Sequence, residues 1–253
     1  MRPTRTTVRG LLEAALFSCA GLLVAATLAL PGCIYNKKSL AGMYHTAFDP
    51  MSGKYINLDS EVFSFKTALT GVAKPHEFNQ TVGFMVLLEK PHDPDKLPVL
   101  LLHGHYSGPR SMEPMGKYMD HDRLEPWFAY YPTGLSIESL ATGLRSSLSR
   151  VAAHEGVDRV AIVGYSMGGI VTRTALKPWE DKFTLPEVPI FISVSTPWAG
   201  THRLGNFAWA GNAPESWGEM KPESEFMQRL FEDPLPEQTE FHMVFGSGGN
   251  TTK

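Results

Sequence analysis

The stretch Val160-Ala161-Ile162-Val163-Gly164-Tyr165-Ser166-Met167-Gly168-Gly169-Ile170 decides how this chain reads. Four apolar residues, three of them β-branched, run directly into Gly-x-Ser-x-Gly. A short apolar run rich in β-branching is a buried strand, and this one leads into a sharp turn and then a helix. A turn of that kind presents a serine hydroxyl at the end of a sheet. Gly164 and Gly168 lie two residues either side of the serine, where side chains would collide as the chain reverses. Glycine also tolerates the strained backbone that such a turn needs.

Working outward, the pattern repeats. Residues 81–89 read as a strand, 91–95 as a turn, and 99–102 as a continuous apolar run expected of a strand buried on both faces. Residues 127–131 are a further strand candidate. Leu135, Ile137, Leu140, Leu144, Leu148 and Val151 recur mostly at three- and four-residue steps, which predicts an amphipathic helix. After the strand at 160–163 comes a helix over 168–176, then strands at 189–195 and 240–245. Strands alternating with helices predict an α/β fold, a mostly parallel sheet with helices on both faces.

Residues 206–236 interrupt this alternation and carry Phe207, Trp209, Trp217, Phe226 and Phe231. They read either as a cap or lid, or as a crossover helix near 224–231 preceded by a loop. Residues 34–80 read as a tether followed by peripheral strands or a short helix, so the domain proper is placed at 81–253.

The chain has 253 residues, 43% of them apolar, which suits one large domain plus a targeting segment. A net charge of −3 gives no sign of a nucleic-acid partner. The two cysteines, Cys19 and Cys33, both fall in the N-terminal region, so the body has no disulfide and no cysteine metal site. Arg2, Arg5 and Arg9 precede a charge-free run over 14–30, the order of a secretory signal. Leu30-Pro31-Gly32-Cys33 resembles the lipobox of bacterial lipoproteins, although Pro31 stands where a small or β-branched residue is usual. The expectation for 1–33 is export and membrane attachment through a lipid on Cys33. An uncleaved signal anchor and ordinary secretion are the alternatives.

A serine hydroxyl needs a base to take its proton and donors to hold the oxyanion that forms. The N–H of Met167, directly after Ser166 at a helix start, is one candidate donor. The loop after 99–102 opens His103-Gly104-His105-Tyr106-Ser107-Gly108, and the N–H of His105 is the other. His103 reads as structural, bonding backbone groups of its own loop.

Together with Ser195-Thr196-Pro197-Trp198-Ala199-Gly200, these pieces resemble the α/β-hydrolase superfamily, and within it the bacterial lipases and lipase-like esterases. The resemblance covers roughly 98–246. It implies cleavage of carboxylic esters, small-molecule or lipid, through an acyl-enzyme on Ser166, with no metal or organic cofactor. The same elbow also serves thioesterases, amidases and acyltransferases, and a non-catalytic lipoprotein that binds a lipid or partner is a further reading.

The superfamily places its acid and then its histidine after the serine. Only His202 and His242 follow Ser166, and the loop expected to carry the acid, 246–253, has none. His202 is the better-placed base candidate and His242 the poorer. Asp181 and Asp233 are candidate acids. On this pattern the chain reads as incomplete at its C-terminus.

Overall fold

In the computed structural model the described residues are 55–202 and 213–246. Six strands form one sheet: β1 (Met85–Leu87), β2 (Leu97–Leu102), β3 (Leu124–Tyr130), β4 (Ala161–Tyr165), β5 (Ile190–Val194) and β6 (Glu240–Val244). Their spatial order is β1-β3-β2-β4-β5-β6. Only β1 runs antiparallel, against β3; every other neighbouring pair is parallel. This is the α/β-hydrolase architecture.

The alternation of side chains along the strands divides the core into two layers. Leu100, Leu102 and Ile162 belong to one layer, while Val99, Leu101, Ala161 and Val163 belong to the other. On the first layer lie α4 (Ile137–Glu155) and α5 (Met167–Ala175), joined by the short α6 (Glu215–Glu219) and α7 (Glu225–Arg229). On the second lie α2 (Pro75–Thr81) and α3 (Glu113–Lys117), and α1 (Phe65–Ala73) packs against α2, Gly71 lying beside Phe78. Strands buried on both faces therefore read as unbroken apolar runs, the signature seen at 99–102 and 160–163.

The helix expected over 135–151 starts at the Ser136 cap, whose Oγ accepts from Ser139 N, and ends at Gly156 in the left-handed conformation, φ 71°.

Two expectations are corrected. Residues 81–89 are not one strand. Pro75 at the first helical position starts α2, which runs to Thr81, and Gly83 (φ 72°) turns the chain, leaving only 85–87 extended. The domain also does not begin at 81, since Val62, Phe63, Ala68, Val72 and Phe78 are buried core. The described part of 34–80, read as peripheral strands or a short helix after a tether, contributes helices to that core.

From 213 onward the suspected cap region packs against the domain. Ser216 Oγ donates to Thr133 O at 2.7 Å, Glu219 accepts from Ile137 N at 2.6 Å, and Trp217, Met220, Met227 and Leu230 are buried. A short helix does follow Ser224, whose Oγ accepts from Met227 N.

Residues 1–54, with Cys33 and the apolar run at 14–30, and residues 203–212 and 247–253 lie outside the described residues. Among the described residues no helix is long and apolar enough to cross a membrane.

Candidate active site

The chain leaves β2 toward β3 on one side, then crosses over to β4 on the other. The crevice outside the carboxyl ends of β2 and β4 is thus a topological switch point, where ligands of open α/β sheets bind. Two loops meet there: 103–108 from β2 and 165–167 from β4.

Ser166 sits at φ 52°, ψ −121°, a backbone region that costs a non-glycine residue about 1–3 kcal/mol. Its N–H donates to Val194 O at 2.8 Å and its C=O accepts from Gly169 N at 3.0 Å, which holds the turn between β5 and α5. The side chain is half-buried, and its Oγ has no hydrogen-bond partner among the described residues.

Glycines let the turn close. A Cβ on Gly164 would stand 2.6 Å from Gly169 Cα and N, and one on Gly168 would stand 2.7 Å from Leu102 O. The 103–108 loop approaches just as closely, since a Cβ on Gly104 would meet Ser166 Cβ at 3.0 Å. Met167 and His105 therefore flank Ser166 in the chain and across the crevice. Neither N–H donates to a main-chain carbonyl among the described residues. Met167 also opens α5, whose positive dipole end favours an anion.

Both histidines of the loop are neutral. Burial pushes the His103 imidazole down to about 4, against a hydrogen bond to Gly104 O that opposes the shift. Burial likewise pushes His105 down to about 4. The His103 Nδ1 faces Gly104 O at 2.9 Å, so Nδ1 carries the proton. This is the local backbone role read from the sequence.

His105 Nε2 accepts from Trp217 Nε1 at 2.5 Å, which again places the proton on Nδ1. Tyr131 stacks on His103 with ring centroids 4.2 Å apart and donates its hydroxyl to His103 O, and Phe84 stacks on Tyr131 in turn. The support that Trp217 and Tyr131 give the loop is not legible in the sequence. No local pattern marks either residue, because their partners lie 112 and 28 residues away.

His242 and Asp181 lie apart from this crevice. His242 pairs with Ile192, which pairs with Val163. It is two strands across, roughly 10 Å, and three residues short of Ser166 along the strand direction, roughly another 10 Å. Its Nε2 faces Glu240 at 3.0 Å. His202 is 70% exposed and faces Glu223 at 3.8 Å.

Asp181 holds Arg145 through two contacts of 2.7 and 2.9 Å, and Arg145 also donates to Ala175 O. That places Asp181 beside the C-terminal end of α5, roughly 13 Å of helix from Ser166. Asp233 offers its main-chain O to Arg173, also on α5. No group of three or more metal-binding side chains occurs among the described residues.

A mostly parallel sheet with helices on both faces and a strained serine between strand and helix is the arrangement of the α/β-hydrolase fold. More particularly, residues 131–220 match the family described as "Putative serine esterase (DUF676)", a segment that contains Ser166, α5 and Trp217. The match covers about a third of the chain, and over that segment the chain is similar to a serine esterase family.

Solved structures similar to it include the mature Bacillus licheniformis lipase BlEst2, 21% identical over 66% of this chain and 73% of that one, TM-score 0.49. The phospholipase PlaB from Legionella pneumophila is 15% identical over 62% of this chain and 40% of that one, TM-score 0.44. Thermogutta terrifontis esterase 2 is 16% identical over 67% and 81%, TM-score 0.41. No curated protein matches the chain.

Proposed function

We propose that this protein cleaves carboxylic esters, lipid esters among them, through an acyl-enzyme on Ser166. The observation that carries the reading is the Ser166 backbone at φ 52°, ψ −121°, between β4 and α5 and against the Gly104 loop. Such strain persists only where the surrounding structure over-determines it, and here it holds a half-buried serine at the switch point of the sheet.

In the proposed reaction Ser166 Oγ gives its proton to a base and bonds to the ester carbonyl carbon. The carbonyl π electrons move to oxygen, and the N–H groups of His105 and Met167 receive that oxyanion. Each such donor is worth about 10²–10³ in rate. Collapse of the intermediate expels the alcohol, which takes up the proton and leaves acyl-Ser166. Water then repeats the sequence and frees the acid. The neutral His105 ring, held by Trp217, fixes the loop that supplies one donor. His242 stands two strands from Ser166, the exposed His202 faces Glu223, and His105 Nε2 already accepts from Trp217.

An alkyl fluorophosphonate tests the reading. The folded protein is expected to label once per chain, and Ser166→Ala to abolish the label. Absence of label on the folded chain overturns the proposal and favours a non-catalytic lipid-binding role. Short- and long-chain nitrophenyl esters then sort esterase from lipase. We also propose export and attachment to a membrane through Cys33, supported by the order of arginines, apolar run and cysteine at the N-terminus. Metabolic labelling with radioactive palmitate should mark the wild type and not Cys33→Ser.

A further inference from the structure

Among the described residues, three that are not glycine have positive φ: Tyr106 at 58°, Ser166 at 52° and Ser195 at 51°. Each follows the carboxyl end of a strand, and those strands, β2, β4 and β5, are neighbours in the sheet. Strain of this kind gathers at functional sites. Tyr106 belongs to the loop that carries His105, and Ser166 is the proposed nucleophile. Neither role explains the strain at Ser195.

The sheet puts Ser195 next to Ser166. β4 and β5 are parallel, and Tyr165 pairs with Val194, so the next residues along the two strands are Ser166 and Ser195. The ladder continues to them, Ser166 N–H donating to Val194 O at 2.8 Å. Adjacent strands lie about 4.8 Å apart, and in-register neighbours leave the sheet on the same face. Ser195 is exposed, although all five residues of the strand before it are buried. Its place is held from two sides. Its N–H donates to Val244 O on β6 at 2.8 Å, and the next side chain, Thr196, packs on Gly169 of α5.

Ser195 lacks what a second nucleophile needs. No helix follows it, and the chain continues into Thr196-Pro197, where Pro197 has no N–H to offer an oxyanion. Its position beside Ser166 decides its part instead. His105 reaches the crevice from β2, on one side of β4, and Ser195 reaches it from β5, on the other. With the carbonyl oxygen turned toward the N–H groups of His105 and Met167, the acyl chain and the leaving group occupy the rest of the crevice. Of these, the leaving oxygen is the hydrogen-bond acceptor.

We propose that Ser195 is a further catalytic residue, its hydroxyl donating a hydrogen bond to the leaving-group oxygen of the ester. The inference rests on the ester-cleavage reading of Ser166. When the tetrahedral intermediate collapses, the bond from carbon to the leaving oxygen breaks and its electron pair passes to that oxygen. The proton removed from Ser166 reaches the same oxygen from the base. Ser195 keeps its own proton and stabilises the charge that develops there. The residue therefore favours esters of unactivated alcohols, which leave poorly without such a donor.

Ethyl butyrate and 4-nitrophenyl butyrate test this, because they share an acyl group and differ in their need for the donor. The readout is kcat/KM, which spans attack through alcohol release. A hydrogen bond to a charged oxygen is worth about ten- to hundredfold in rate. Ser195→Ala should lower the ratio of kcat/KM for the ethyl ester over the nitrophenyl ester about tenfold or more. Ser195→Gly should lower that ratio alike and melt no lower than wild type, since glycine relieves the strain at φ 51°.

A purely structural serine would change both esters by the same factor. An unchanged ratio in either variant, or a wild type that cleaves only the nitrophenyl ester, overturns the proposal. Fluorophosphonate labelling keeps the two failures apart. A wild type that labels at Ser166, with the ratio unchanged in the variants, loses only the role of Ser195. A wild type that neither labels nor cleaves either ester loses the Ser166 reading and this one with it.

Discussion

Gly164→Ala is a sharp perturbation of this structure because its steric conflict is entirely with backbone. The added Cβ would lie 2.6 Å from both Cα and N of Gly169 and 2.7 Å from Gly168 C. Carbon contacts settle near 3.5–4.0 Å, so α5 must move from β4 by about 1 Å. That movement is opposed. Ser166 N–H is tied to Val194 O at 2.8 Å, and Gly169 already lies so close to Thr196 that a Cβ there would stand 2.1 Å from its Oγ1.

Overpacking of a closed core costs about 1–3 kcal/mol, and a backbone-on-backbone clash belongs at the upper end. At about 2–4 °C per kcal/mol for a domain of this size, the melting temperature should fall by about 6–12 °C. An ångström of displacement at the serine should also slow fluorophosphonate labelling about a hundredfold. Gly218→Ala is the control. Nothing lies within 4 Å of where its added methyl would stand, and alanine is the better helix former, so stability should hold or rise by up to about 1 kcal/mol. A Gly164→Ala protein that melts within about 2 °C of wild type and labels at the wild-type rate would refute the packing argument.

Trp217→Phe removes the donor to His105 Nε2 and keeps most of the ring. A net hydrogen bond of about 1 kcal/mol predicts labelling slowed about fivefold, with a smaller change in melting temperature than Gly164→Ala produces. Tyr131→Phe leaves the buried His103 carbonyl without its hydroxyl donor and should cost about 1–3 kcal/mol in a urea titration. Unchanged stability would mean that another group satisfies that carbonyl.

Acid sensitivity follows from His103 and His105, whose folded values near 4 lie below the ordinary 6.5 because burial penalises the charged ring. Between those limits the unfolded chain binds more protons, so stability is lost as pH falls from 6.5 toward 4, by at most about 1.4 kcal/mol per pH unit for each ring. Urea midpoints at pH 7 and pH 5 should differ accordingly. Asp181, held low by Arg145, adds a second loss only as pH falls through its own depressed range.

Local chemistry wrote much of the fold into the chain. β-Branched runs such as 160–163 read as strands because their pattern is complete within a few residues, and glycines at 164 and 168 announce the turn because no side chain fits there. The helix that became α4 was legible from its period, its serine cap and its glycine stop. Where two propensities competed within a short span, as at Pro75 and Gly83 beside the apolar 84–88, the sequence misled.

The order of strands was decided only by the tertiary structure, because a sheet neighbour is chosen by burial across long separations. That order puts the switch point between β2 and β4, brings Gly104 against Ser166, and lays Trp217 on His105 and Tyr131 on His103. It also sets His242 two strands from Ser166 and Asp181 at the opposite end of α5, distances that no spacing in the chain encodes.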